Sequence, residues 1–141
     1  MNTHRLAKQL LTDEGLKLKP YRCTAGKLTI GVGRNLEDRG ITEDEAMLLL
    51  QNDIKRCWGQ VVGALPWVLN APEPVQEALV NMCFNLGLAG LLKFKNTLAH
   101  LEAGEYELAE MEMLDSAWAK QVGARANRLG AMVHGCAKQE G

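Results

Sequence analysis

The sequence predicts an α+β fold: a mostly helical chain with a small sheet inserted near its N-terminus. Three observations lead there. Apolar residues recur at helical spacing over most of the 141 residues. One stretch near the start breaks that rhythm with Gly26, Gly31 and Gly33. A capping signature, Thr42-x-x-Glu45, then restarts it.

Taken in order, the first helix is expected from Thr3 to Glu14, with Ala7, Leu10, Leu11 and Glu14 on one face at i, i+3, i+4, i+7. Gly15 is placed to stop it in a left-handed conformation. From Lys17 to Arg39, short segments carrying Tyr21, Leu28, Ile30 and Val32 alternate with glycines. They read as antiparallel strands turning at Ala25-Gly26 and near Gly33. After Thr42, the stripe Ala46, Leu50, Ile54, Cys57, Trp58 and Val61 predicts a helix over about 43–62. Pro66, Pro72 and Pro74 interrupt the next stretch. Val75, Ala78, Leu79, Met82, Cys83 and Leu86 then predict a central core helix ended by Gly87 and Gly90. Further helices are expected at Phe94–Glu102, Tyr106–Asp115 and Ala124–Cys136. Met47, Met82 and Met113 sit on or near apolar stripes and read as core fillers.

This length makes one domain, 1–141, with room for a core and for two lobes. Aromatic residues are only 5% of a chain that is 47% hydrophobic, so the core must be largely aliphatic. No apolar run looks long enough for the roughly 18–20 residues of a membrane span. The first residues lack an apolar signal region, so cytoplasmic accumulation is expected. Cys23, Cys57, Cys83 and Cys136 have neither zinc nor redox spacing, and no metal is expected. Without export, disulfides are not expected either. The net charge of −1 divides into +4 over residues 1–39, −7 over 40–114 and +2 over 115–141. That is not the single basic face of a nucleic-acid binder. It suits either an anionic polymer held at the two ends or an ordinary solvated surface.

Glu14 carries the chemical hint. An acid on an apolar face at a helix C-terminus is expected to be half-buried, and both burial and the helix dipole favour its protonated form. That is what a general acid needs. The alternative is a solvated or Arg-paired acid at a helix end.

The segment Glu14-Gly15-Leu16-Lys17-Leu18-Lys19-Pro20-Tyr21-Arg22-Cys23-Thr24-Ala25-Gly26-Lys27-Leu28-Thr29-Ile30-Gly31-Val32-Gly33-Arg34 closely resembles the catalytic segment of phage-type lysozymes of the T4 lysozyme family (glycoside hydrolase family 24). Asn81-Met82-Cys83-Phe84-Asn85-Leu86-Gly87 resembles that family's core helix. Ser116-Ala117-Trp118 with Gly123-Ala124-Arg125-Ala126-Asn127-Arg128 resembles its closing segment.

The resemblance implies a β-lobe at about 17–40, a helical lobe from 1–14 and 64–141, a connecting helix at about 43–62, and an interlobe cleft with Glu14 at its floor. It implies hydrolysis of the β-1,4 bond between N-acetylmuramic acid and N-acetylglucosamine in peptidoglycan. The enzyme would be a monomer, without cofactor, nucleic acid or membrane, released to the wall by a separate holin-type protein. Glu14, Cys23 and Thr29 would be catalytic. Cys23 stands where the family commonly has Asp, so it is either a thiolate partner of Glu14 or a tolerated substitution. Arg22 and Lys27 are the nearby cations that would lower its pKa. Thr29 would hold a water or reacting hydroxyl, unless it is only a packed strand residue. Asn85 would line the sugar cleft, Arg125 would pair with Glu14, Arg34 would brace the lobes through an acid, and Trp118 would be structural. A wall-binding protein without catalysis and a small helical adaptor are the competing readings.

Overall fold

The computed structural model describes residues 1–139. Two compact units divide at Leu49/Leu50.

The first unit opens with α1 (Thr3–Glu14), capped by Asn2, whose Oδ1 accepts the Arg5 amide at 2.9 Å. Gly15 ends it, its N–H donating to the Leu11 carbonyl at 2.9 Å. Gly15 has φ 74° but ψ 172°. That lies outside the left-handed helical well the sequence suggested, and it turns the chain directly into extended backbone. Three antiparallel strands follow in the order β1 (Lys17–Arg22), β2 (Leu28–Gly31), β3 (Arg34–Asn35). Tyr21 pairs with Thr29 and Arg22 with Leu28; Thr29 pairs with Asn35 and Ile30 with Arg34. The β1–β2 register shifts between Lys17 and Tyr21, a stretch containing Pro20, which has no N–H for the ladder. Asn35 then caps the one-turn helix α2 (Leu36–Arg39), accepting the Asp38 amide at 3.0 Å.

The capping box at Thr42 forms as the sequence predicts. Glu45 Oε1 accepts the Thr42 amide at 2.9 Å, and Thr42 Oγ1 accepts the Glu45 amide at 3.2 Å. The same Glu45 oxygen accepts Arg34 Nη1 at 2.7 Å. Glu45 is thus the acid that Arg34 requires, and the pair ties β3 to the first turn of α3 (Glu43–Ala64). Arg34, and then the Thr42 amide, hold the Glu45 carboxyl down at about 2. A depressed carboxylate stabilises the fold above its unfolded pKa and loses that contribution as pH falls through the folded value. Glu45→Gln should therefore lower Tm at pH 7, and the gap should close between about pH 4.5 and 2. A Tm difference that does not change with pH would remove this ion pair from the account.

The second unit is helical. It takes in the rest of α3, a 3-10 turn (Pro66–Asn70), α4 (Glu73–Leu92), α5 (Lys95–Glu102), α6 (Tyr106–Leu114), α7 (Ala117–Val122) and α8 (Ala124–Gln139). Its core joins Cys57 and Val61 of α3 to Val75, Ala78, Leu79, Met82, Cys83 and Leu91 of α4 and Ala126, Leu129, Val133 and Cys136 of α8. Each large side chain taken fully from water contributes about 1.5–3 kcal/mol, and this unit holds nearly all of them. Gln76 Nε2 ties the 3-10 turn to α4 through the Val68 carbonyl at 2.9 Å.

Four expectations change. Gly87 breaks the helical path (φ 75°, ψ 164°), but the helix resumes through Gly90 to Leu92. A glycine permits the excursion, and Leu91 is buried to hold the continuation. The α7 turn was not anticipated; Ser116 caps it by accepting the Ala119 amide at 3.1 Å. Met47 is half-exposed rather than core, and Leu50 and Ile54 are exposed as well, because only the C-terminal half of α3 reaches the core. Finally, α4 spans 20 residues at mean hydropathy 1.3, long and apolar enough by those measures to cross a membrane. Its buried face against α8 and the 3-10 turn is the pattern of a core helix.

Candidate active site

Glu14 is the last residue of α1, and its carboxylate lies over the β2–β3 turn. A Cβ built on Gly33 would stand 3.0 Å from Glu14 Oε2 and 3.2 Å from its carboxyl carbon. The half-buried setting expected for Glu14 is not found: the side chain is exposed, since α1 buries none of its residues. The bare backbone of Gly33, held at φ 69°, lies close to it and leaves it room that a side chain would fill.

Gly33→Ala should therefore cost more activity than stability. The positive φ costs about 1–2 kcal/mol for an L residue, and displacing the carboxylate by a fraction of an ångström should lower activity roughly 10-fold. Gly31→Ala is the control. It has the same backbone demand (φ 71°) with nothing within 4 Å of the added carbon. Equal activity losses in the two variants, measured beside their Tm values, would show that contact with Glu14 is irrelevant.

Cys23 and Thr29 come together at the β1–β2 connection. The Cys23 amide donates to the Lys27 carbonyl at 3.0 Å and the Gly26 amide to the Cys23 carbonyl at 2.8 Å, curling Cys23–Lys27 into a tight loop. Within that loop the Cys23 thiol is lowered below its usual value, first by the Lys27 backbone amide and then by that of Ala25. Burial opposes them, and the Thr29 hydroxyl and the residue's own amide add to the lowering. Backbone amides of a tight loop favour an anion in their midst, and here they favour the thiolate form of Cys23 beyond that of an ordinary thiol. Thr29 itself is buried, and its Oγ1 donates to the Lys27 carbonyl at 2.8 Å.

The cations named for this task act elsewhere. Arg22 Nη1 pairs with Glu37 at 2.7 Å, and Lys27 Nζ with Asp38 at 3.3 Å. Neither side-chain charge figures among the causes of the Cys23 shift. The remaining cysteines differ sharply. Cys57, Cys83 and Cys136 are buried, and burial, followed by the neighbouring Cys57, pushes the Cys83 thiol up to about 11.

Asn85 and Arg125 stand on the helical unit, each with a partner within it. Asn85 Oδ1 accepts the Trp118 indole N–H at 2.8 Å. Trp118 is buried and meets Phe94 edge-on, ring centroids 5.9 Å apart, in the structural role expected of it. Arg125 Nε donates to Asn81 Oδ1 at 2.8 Å, and its Nη2 reaches the Asn81 carbonyl at 3.4 Å. With Trp58, Val80, Asn81 and Phe84 it lines a cavity of about 540 Å³. Asn81 was overlooked in the sequence, although it opens the very segment that contains Asn85. Gly33 and Glu37 were overlooked too. Gly33 was visible as the second glycine of its turn, whereas nothing local in sequence marked Glu37. Among the described residues no group of three or more His, Cys, Asp or Glu could hold a metal ion.

The family model described as phage lysozyme matches residues 12–134. The chain is 30% identical over 154 residues to the pre-baseplate central spike protein of Enterobacteria phage T4, covering 88% of this chain but only 26% of that protein. It spans a minority of that relative's length. An endolysin of Acyrthosiphon pisum secondary endosymbiont phage 1 is 32% identical over 118 residues, 79% of this chain and 77% of the endolysin. A probable T4-type lysozyme of Dictyostelium discoideum is 27% identical over 146 residues, 83% of this chain and 86% of that protein.

Proposed function

Because the chain belongs to the phage lysozyme family of glycoside hydrolases, we propose that it is an endolysin cutting the β-1,4 bond between N-acetylmuramic acid and N-acetylglucosamine in peptidoglycan, and so lysing the host. Glu14 protonates the leaving oxygen. Cys23, as thiolate, faces the developing positive charge at the anomeric carbon or attacks it. Thr29 holds a water or the sulfur in place through its hydroxyl. Asn85 and Arg125 contribute to substrate binding from the helical unit, with Asn81 fixing the guanidinium.

The observation that carries this reading is the tight Cys23–Lys27 loop, closed by the Cys23 amide on the Lys27 carbonyl at 3.0 Å and set beside buried Thr29. A carboxylate at this position would be ionised at neutral pH without help; a thiol is not, and here three backbone amides and a hydroxyl favour the anion.

The test is lysis of chloroform-permeabilised Gram-negative cells, with mass spectrometry of fragments from purified peptidoglycan. Muramic-acid reducing ends are expected. Wall binding without new ends would replace catalysis with a binding role, and anhydro ends would make the reaction a transglycosylation. Access to the wall is proposed to need a separate membrane-permeabilising protein of the holin type, the chain waiting in the cytoplasm. Expression alone should then leave cells intact until the inner membrane is breached.

A further inference from the structure

We infer that Glu37 is a positioning residue for Cys23, acting by clamping the Cys23–Lys27 loop from outside. The inference rests on the proposed role of Cys23 only for its consequence in hydrolysis; the effect on the sulfur is independent of it. Glu37 lies on α2, far in sequence from the loop, and one of its oxygens gathers both ends of it. Glu37 Oε1 accepts the Leu28 amide at 2.9 Å, immediately after the loop, and Arg22 Nη1 at 2.7 Å, immediately before it. Arg22 Nη1 also donates to the Gly26 carbonyl at 2.9 Å, inside the loop. A single oxygen therefore holds the first strand, the loop and the second strand in one arrangement. Asn35 orders the helix that carries Glu37 by capping it.

The consequence falls on the amides of Ala25 and Lys27. They belong to the clamped loop, and their direction toward the sulfur depends on the loop keeping its curl. The clamp is also what occupies Arg22. Two effects of removing it thus have opposite sign. Loosening the loop disperses the amides and disfavours the thiolate. Freeing Arg22 places an unmatched cation beside Cys23 and favours it. The Lys27 and Ala25 amides are the largest influences on the thiol, and no cation figures among them; Arg22 is solvated and two-thirds exposed, so loosening wins. The charged groups on the loop and on the elements joined to it by ion pairs are Arg22 on β1, Lys27 in the loop, and Glu37 and Asp38 on α2.

The experiment measures iodoacetamide alkylation of Cys23 in the intact chain across pH 5–10, read by mass spectrometry of the peptide containing residue 23. That readout needs no wall substrate, so it separates this inference from the proposed activity. Glu37→Ala should raise the apparent pKa of Cys23 and slow its alkylation at pH 7 about threefold or more, since below the pKa the rate follows the thiolate fraction. Glu37→Gln keeps an oxygen able to accept both N–H groups and should stay within about twofold of the parent. A purely electrostatic role for Glu37 predicts the reverse, with both variants faster. Alkylation of Glu37→Ala as fast as the parent, or faster, overturns the inference, and so does a change in Tm with no shift in the pH profile. Should Glu37→Ala fail to fold, Arg22→Met breaks the bridge to Gly26 while leaving the Glu37–Leu28 bond. It must slow alkylation in the same direction.

Discussion

Glu14→Gln should lower wall hydrolysis by roughly 100 to 10,000-fold, the contribution of a positioned general acid. The amide is isosteric with the carboxylic acid and lies over Gly33 in the same way, but it has no proton to give the leaving oxygen. Because the side chain is exposed and makes no buried contact, the variant should fold with an unchanged Tm. Activity and stability therefore separate cleanly. Hydrolysis within tenfold of the parent, measured on purified and folded protein, would take the general-acid role away from Glu14.

The Cys23 series carries the second large effect. Cys23→Ala and Cys23→Ser should fall together by about 100-fold, comparable to removing one preorganised charge-stabilising group. A serine hydroxyl in the same loop ionises far too weakly at neutral pH to stand in for a thiolate. Cys23→Asp should retain activity, since a carboxylate is anionic there without assistance. Alkylation should label residue 23 ahead of the buried Cys57, Cys83 and Cys136 and abolish lysis in step. A folded Cys23→Ala near full activity would leave Glu14, Thr29 and an ordered water to do the chemistry.

Much of the fold was legible in sequence because local signals were strong. The Thr42/Glu45 box marks the start of α3, and the glycines of the hairpin demand the turns that form there. The central helix announced itself through a stripe whose members are buried as expected. Its end did not, since a glycine that breaks the helical path looks the same in sequence as one that terminates it. Gly87 does the first. The site was legible as a motif but not as a mechanism. Arg22 and Lys27 sit beside Cys23 in the chain, so they were natural candidates for tuning it. Their carboxylate partners come from a helix some ten to fifteen residues on, and backbone amides, invisible to any reading of side chains, take over the task. The burial expected for Glu14 failed for a similar reason. A helical stripe says which face is apolar, not whether that face is covered.

The composition of the core has a practical consequence. Among its most deeply buried large side chains, Cys57, Met82, Cys83, Met113 and Cys136 carry sulfur, while Met47 and Met111 lie at the surface. Peroxide should therefore act in two stages. Surface sulfoxides and Cys23 oxidation come first and leave the helical unit intact. Core sulfur reacts only when that unit opens, and a sulfoxide formed there cannot be packed back as the apolar thioether was. Oxidation of the core is thus a one-way ratchet, and its rate counts the openings of the helical unit in water.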